Sequence, residues 1–220
     1  MKFSNLKFKK ITGTTLCGLA GLNKFKPPGD TILSMLKIIK EPFDEFYVKR
    51  GDIAEELAYK SLTKRGLSCI HYNDKKAIGY DNFPGDPYFG GIIDIEIPLK
   101  NTLYEIKSRN IKDYEKIQKY GDSEQERQAT HYAWMRGYAA SNIMWIFFDD
   151  VSESEIKAGR PLSTYKNLKM IEKQLPVNYD EEYEIHKKAL TYLNNVIKTG
   201  EIPDSDISDK YKSLLKEAGF

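Results

Sequence analysis

Six consecutive apolar side chains, Ile143-Met144-Trp145-Ile146-Phe147-Phe148, stand in a 220-residue chain of which 30% is charged. Side chains alternate between the two faces of a strand, so a run with no polar member needs apolar cover on both sides. Helices packed over both faces of a sheet supply that cover. The run is far shorter than the ~20 apolar residues that span a bilayer, and no such stretch occurs elsewhere. The chain is expected to be α/β, with this run as a buried strand of a mixed central sheet flanked by helices.

The surrounding pattern agrees. Residues 46–64 read as a helix whose apolar stripe is Val48, Ile53, Leu57 and Leu62 with Ala54 and Ala58, ended by Gly66. Pro27-Pro28-Gly29-Asp30 is a turn and cap leading into a short helix over 31–39. Residues 78–109 change to an alternating, β-branched and aromatic pattern broken at Pro84-Gly85-Asp86-Pro87 and Leu99-Lys100-Asn101, which predicts strands and a hairpin. Ser123-Glu124-Gln125-Glu126 has the form of a capping box and predicts a helix over 123–138. Further helices are expected over 179–199 and 210–218 after a variable loop region.

Charge is nearly balanced, with 34 basic and 32 acidic residues, so an overall basic coat for nucleic acid is excluded while a local patch is not. Residues 1–29 hold six lysines and no acid, which marks a segment suited to an anion. Two cysteines, Cys17 and Cys69, are too few for a disulfide framework or a four-cysteine metal site. With no apolar leader at the start, the expectation is a reduced, cytoplasmic protein with no membrane partner. No Walker-type glycine loop is present.

The chemistry concentrates in Gly91-Ile92-Ile93-Asp94 and Glu105-Ile106-Lys107. Residues two apart on a strand share a face, so Glu105 and Lys107 project together while Ile106 points into the core. A hairpin turning through Leu99-Lys100 sets Asp94 opposite Glu105, where like charges repel. A divalent cation held by both carboxylates relieves that repulsion, and Mg²⁺ prefers such oxygen ligands. Lys107 is then placed to contact a phosphate or help activate water. Glu96 is the rival acid, since it shares the face of Asp94. Gln128 and Tyr132, four apart, lie on one helix face. His131 suits a DNA-facing or surface position and a structural role, His71 and His186 have no partner at ligand spacing, and Trp134 and Trp145 fit core packing.

In order along the chain, these residues resemble the PD-(D/E)XK nuclease superfamily, and within it the lambda exonuclease and YqaJ group of phage recombination exonucleases. Ile11-Thr12-Gly13-Thr14-Thr15 resembles the group's opening segment, with threonine as its hydroxyl residue and a lysine, Lys10, before it where an arginine is usual. Arg50-Gly51-Asp52-Ile53-Ala54-Glu55 resembles the helix motif with a metal-side glutamate. Gly91 to Asp94 and Glu105 to Lys107 resemble the G-x-x-D and E-x-K elements, and Gln128-Ala129-Thr130-His131-Tyr132 resembles the Q-x-x-x-Y motif of RecB-type nucleases. The resemblance implies a restriction-endonuclease-like core in one domain over 1–220, with a basic segment at 1–29, the catalytic core at 30–150 and a C-terminal loop and helices at 151–220. It implies a DNA exonuclease degrading linear duplex from 5′ to 3′ in recombination or end processing, using two Mg²⁺ or Mn²⁺ ions. Asp94, Glu105, Glu55 and the Ile106 carbonyl are the implied metal ligands. Lys107, Glu105, Asp94, Glu55, Gln128 and Tyr132 are the catalytic set, and Lys10, Thr12, Thr14 and Thr15 are assigned to a 5′-phosphate. The implied partners are duplex DNA with a free end, a single-strand annealing protein and two further copies in a trimer, in a phage or prophage setting. An endonuclease, or a nuclease-like DNA-binding protein without turnover, are the alternatives.

Overall fold

The computed structural model describes residues 8–39, 45–149 and 168–217, with Glu155 and Ala158. Lys2 and Lys7 of the basic segment lie outside these residues. The chain divides into two compact units that interleave in sequence: 1–42, 83–91 and 179–220 form one, and 43–82 with 92–178 the other.

The second unit is built on a five-stranded mixed sheet in the order β1-β2-β3-β4-β5. Its strands are β1 (Ile70–His71), β2 (Ile95–Ile97), β3 (Thr102–Asn110), β4 (Ala140–Phe148) and β5 (Lys169–Pro176). β3 and β4 run parallel, and the other neighbours are antiparallel. The parallel pair needs a crossover, which α4 (Tyr114–Tyr120) and α5 (Ser123–Arg136) provide; α3 is Glu45–Lys64. The apolar run behaves as its composition demands. Met144, Ile146 and Phe148 pack with Ala54, Ala58 and Leu62 of α3. The alternate residues, Ile143, Trp145 and Phe147, pack with Ile117 of α4 and Ala129 of α5. Both faces of β4 are thus covered by helices.

Helix α3 matches expectation, and its last turn passes into Gly66 at φ +78°, a conformation that costs glycine nothing. Val48, placed in the buried stripe from sequence, is instead 45% exposed, because the stripe that reaches the sheet begins only at Ile53. Residues 78–91 form turns and irregular backbone rather than named strands, with one bridge of Phe89 to Ile11; β2 and β3 alone make the hairpin, joined by a 3₁₀ turn (Pro98–Lys100) and Asn101 at φ 47°. The cap of α5 is Asp122, one residue before the expected serine, and its side chain accepts from Gln125 N. β5 fills part of the expected loop region; as an exposed edge strand it carries too few apolar residues to be read from pattern.

The first unit holds α1 (Gly13–Leu19), α2 (Pro28–Met35), α6 (Tyr179–Thr199) and α7 (Asp209–Glu217). Helix α2 begins three residues earlier than expected because Pro28 takes its first turn, where a missing N–H costs nothing. A Cβ on Gly18 would collide with Thr31, so glycine there permits α1 and α2 to approach. Asp30, 1% exposed, accepts from Ser208 N (2.9 Å) and Ser208 Oγ (2.6 Å) and ties α2 to the start of α7. No helix among the described residues is long and apolar enough to cross a membrane.

Candidate active site

The β2–β3 register pairs Ile95 with Tyr104, Glu96 with Leu103 and Ile97 with Thr102. One step beyond it, Asp94 leaves the ladder and its Oδ2 accepts from the Ile106 backbone N–H at 2.7 Å. Glu105 is 1% exposed, and its Oε1 accepts from Lys107 Nζ at 2.6 Å, while Ile106 points the other way into the α3-facing core. Lys107 Nζ also donates to Gln128 Oε1 at 3.0 Å, which draws α5 onto the same cluster. The second oxygen of Glu105, Oε2, is buried with no hydrogen-bond partner. Burial and then the nearby Glu105 charge push the Asp94 carboxyl up to about 7. Burial likewise raises Glu105, with Glu55 adding to it and Lys107 working against it. Burial works against the charge of Lys107, but the pull of Glu105 and Asp94 outweighs it and holds the ammonium charged above its usual range.

Glu55 arrives from α3. It is 8% exposed, and its Oε1 accepts from Lys75 Nζ at 2.9 Å. Desolvation and then the Asp94 charge raise its carboxyl, with Lys75 opposing. Glu55 Oε2 lies 3.8 Å from His71 Nε2, and the His71 ring stacks on Tyr59 with centroids 4.9 Å apart. A cavity of about 560 Å³ opens beside them, bounded by Asp52, Glu55, Glu56, His71, Lys75 and Tyr80.

Of the expected residues, the fold therefore brings together Asp94, Glu105, Lys107, Glu55 and Gln128. Tyr132 lies one turn further along α5, buried, with its ring 5.1 Å from that of His131. His131, suited by its neighbours to a DNA-facing or surface position, is instead fully buried, in a stretch of α5 over 129–133 whose residues are all buried. His71, read as incidental, stands against Glu55. Glu96 is drawn away into its own cluster: it accepts from Tyr72 Oη (2.6 Å) and Tyr138 Oη (2.7 Å), and Arg136 Nε is 3.1 Å away. Trp145 is core, although its Nε1 donates to Gln125 Oε1 at 2.8 Å, whereas Trp134 is only half-buried. Cys17 is buried and Cys69 half-buried. Lys75 was missed altogether, since a lysine in Asn73-Asp74-Lys75-Lys76 carries no spacing signal.

In the other unit, Thr12 caps α1, and Thr12 N donates to Thr15 Oγ1 at 2.8 Å. Lys10 Nζ donates to the Phe83 carbonyl at 2.7 Å, and Thr14 is exposed. His186 is core, with Nδ1 2.6 Å from the Glu182 carbonyl and its ring edge-on to Phe89.

Among the described residues, no three histidine, cysteine, aspartate or glutamate side chains form a ready metal cage. Lys75 and Lys107 stand on two of the carboxylates instead. The donor set is nonetheless one that suits a hard cation: buried carboxylates only, with one oxygen left unpartnered.

No family model matches the chain. Two curated relatives, uncharacterized protein MG373 of Mycoplasma genitalium and its homolog in Mycoplasma pneumoniae, are 36% and 34% identical over 89 and 90 residues. Each match covers 40% of this chain and 32% of the relative, so the chain aligns with about a third of their length. Solved structures are more widely superimposable. A phage-related exonuclease from Haemophilus somnus covers 88% of this chain and 97% of its own, with TM-score 0.56 and 18% identity. The alkaline exonuclease LHK-Exo from Laribacter hongkongensis covers 95% and 93% at 14% identity, with TM-score 0.55, and 0.58 for its complex with dAMP. The chain has the fold of these exonucleases, and the resemblance to the PD-(D/E)XK superfamily drawn from its motifs agrees with that fold.

Proposed function

We propose that this chain is a Mg²⁺- or Mn²⁺-dependent DNA exonuclease that hydrolyses linear duplex from a free end. The observation that carries the reading is the buried Asp94–Glu105 pair, hydrogen-bonded to Ile106 N–H and Lys107, on a fold shared with exonucleases. Asp94, Glu105, the Ile106 carbonyl and Glu55 would hold the cation. When bound, a divalent cation acidifies a water and stabilises negative charge on the phosphate and its leaving oxygen. The protein's own part is positioning and charge. Two hydrogen bonds, to Glu105 and Gln128, fix the Lys107 ammonium where it can orient the attacking water or offset charge growing on the phosphate. The Ile106 N–H holds Asp94 in its rotamer, so the carboxylate pair is set before substrate arrives. Water adds to phosphorus, the P–O3′ bond breaks, and the product is a 5′-phosphorylated nucleotide. We assign Lys10 and the threonines Thr12, Thr14 and Thr15 to a 5′-terminal phosphate, which gives 5′ to 3′ polarity. A role in recombination beside an annealing protein, and trimeric assembly, belong to the same reading.

The test is digestion of end-labelled linear duplex alongside closed circular DNA, with Mg²⁺ or Mn²⁺ and with EDTA. Metal-dependent loss of the linear form from its 5′ end, with the circle intact, is the expected result. Nicking of the circle would make the chain an endonuclease. Absence of turnover with every divalent cation, alongside DNA binding, would make it a binding protein.

A further inference from the structure

Two lysines touch the carboxylates of the site, and they are held differently. Lys107 lies on β3 with its side chain 19% exposed, fixed by hydrogen bonds to Glu105 and Gln128. Lys75 reaches Glu55 from a surface turn, and 31% of its side chain is exposed. That turn, from Lys75 to Tyr80, is closed by Tyr80 N donating to the Lys75 carbonyl at 2.8 Å, with Gly79 and Tyr80 at φ 63° and 61°. The turn thus fixes the backbone of Lys75, while its four-carbon flexible stem lines the adjoining cavity. The Lys75 ammonium bonds Glu55 Oε1, whereas the imidazole of His71 is 3.8 Å from the other oxygen and beyond hydrogen-bond reach. The Lys75 charge is also felt at Asp94 and Glu105.

We propose that Lys75 is a resident counter-ion of the nuclease site: its ammonium occupies the Glu55 side of the carboxylate cluster when no divalent cation is bound, and withdraws into the cavity when one is. This rests on the metal-site reading given above and assigns the displaceable charge to one residue. Without a cation, Glu55, Asp94 and Glu105 gather three acidic groups in a buried place, a cost that Lys75 and Lys107 offset together. With a cation on Glu55, an ammonium 2.9 Å from the same carboxylate is a like-charged competitor. Lys75 therefore protects the metal-free fold and weakens cation binding. Lys107, held on both sides, stays in place for the chemistry.

The experiment is calorimetric titration of EDTA-stripped protein with Mn²⁺, for wild type, Lys75→Met, Lys75→Gln and Lys75→Arg. Lys75→Met and Lys75→Gln should bind Mn²⁺ about tenfold or more tightly, the scale of one charge-assisted hydrogen bond, and should melt lower than wild type before Mn²⁺ is added. Lys75→Arg, which keeps the charge, should not tighten binding. In the unmutated protein, amine labelling read by mass spectrometry should rise at Lys75 on adding Mg²⁺ and stay low at Lys107. Unchanged or weaker Mn²⁺ binding in both neutral variants, or labelling of Lys75 indifferent to Mg²⁺ while wild type binds it, overturns the counter-ion and leaves the metal site standing. No binding by any of the four proteins overturns both.

Discussion

The pH dependence of the metal-free protein measures the Asp94–Glu105 pair directly. Asp94 is 8% exposed and its carboxyl rises from an ordinary 3.8 to about 7, through burial first and Glu105 second. A raised carboxyl means that the folded state binds the proton more tightly than the unfolded one, so stability is lost as pH climbs from about 4 through 7. At about 1.4 kcal/mol per unit, ionising a carboxyl raised this way costs on the order of a few kcal/mol, most of it between pH 5 and pH 8. Glu105 shifts in the same direction. Lys107 and Lys75 are raised lysines, so their contribution is fully present below the ordinary lysine range and flat across this window. Asp94→Asn keeps an oxygen for the Ile106 N–H and removes the charge. In EDTA, the melting temperature of wild type should therefore fall relative to Asp94→Asn by about 5–10 °C between pH 5 and pH 8, at about 2–4 °C per kcal/mol for a chain of this size. Millimolar Mn²⁺ should restore wild type at pH 8 and do little for the variant. Parallel pH profiles for the two proteins would refute the buried pair as the source of the strain.

Lys107→Ala should lower the cleavage rate about a hundredfold or more while preserving Mn²⁺-induced stabilisation; a variant that cleaves normally would remove Lys107 from the chemistry. Glu96→Gln should destabilise the fold by about 1–3 kcal/mol, because Arg136 loses its charged partner, and should leave cleavage at low temperature close to wild type. A variant with unchanged melting temperature and no activity would instead place Glu96 among the catalytic groups. Wild type should digest 5′-phosphorylated duplex faster than 5′-hydroxyl duplex at low salt, with Thr14→Ala and Lys10→Ala reducing the difference. Equal rates on both ends would take Lys10 and Thr14 out of end recognition.

Where burial dictated the pattern, the sequence was readable. The 143–148 run had to be covered on both faces and is, and helix α3 was fixed by a stripe that Ala54, Ala58 and Leu62 carry to the sheet. The hairpin register followed from the turn at Leu99-Lys100, because period two leaves no freedom once the turn is set. Elements held by partners rather than by pattern were not readable. β5 presents mostly exposed residues and exists through its ladder to β4, and α1 is seven residues with no acid or base to mark either end. The α5 cap moved to Asp122 because an aspartate and a serine side by side both satisfy the cap chemistry, and the backbone chose the first.

The site divides along the same line. Asp94, Glu105 and Lys107 share one hairpin, so strand geometry alone placed them together, and Glu55 followed from a helix position between apolar neighbours. Lys75 and His71 come from a surface turn and an edge strand, where no periodicity links them to Glu55. Their positions depend on how β1 lies against β2, a pairing of two residues on each side. Glu96 shows the converse. It sits on the same strand face as Asp94, and strand geometry alone does not separate them; three donors set it apart, since Tyr72, Tyr138 and Arg136 together satisfy Glu96, whereas Glu105 keeps a buried oxygen without a donor. A carboxylate whose lone pairs are filled by protein is finished as structure. One left short of donors in a buried place has coordination to offer, and that difference supports the proposal of Asp94 and Glu105, rather than the neighbouring acid, as the carboxylates that would hold a cation.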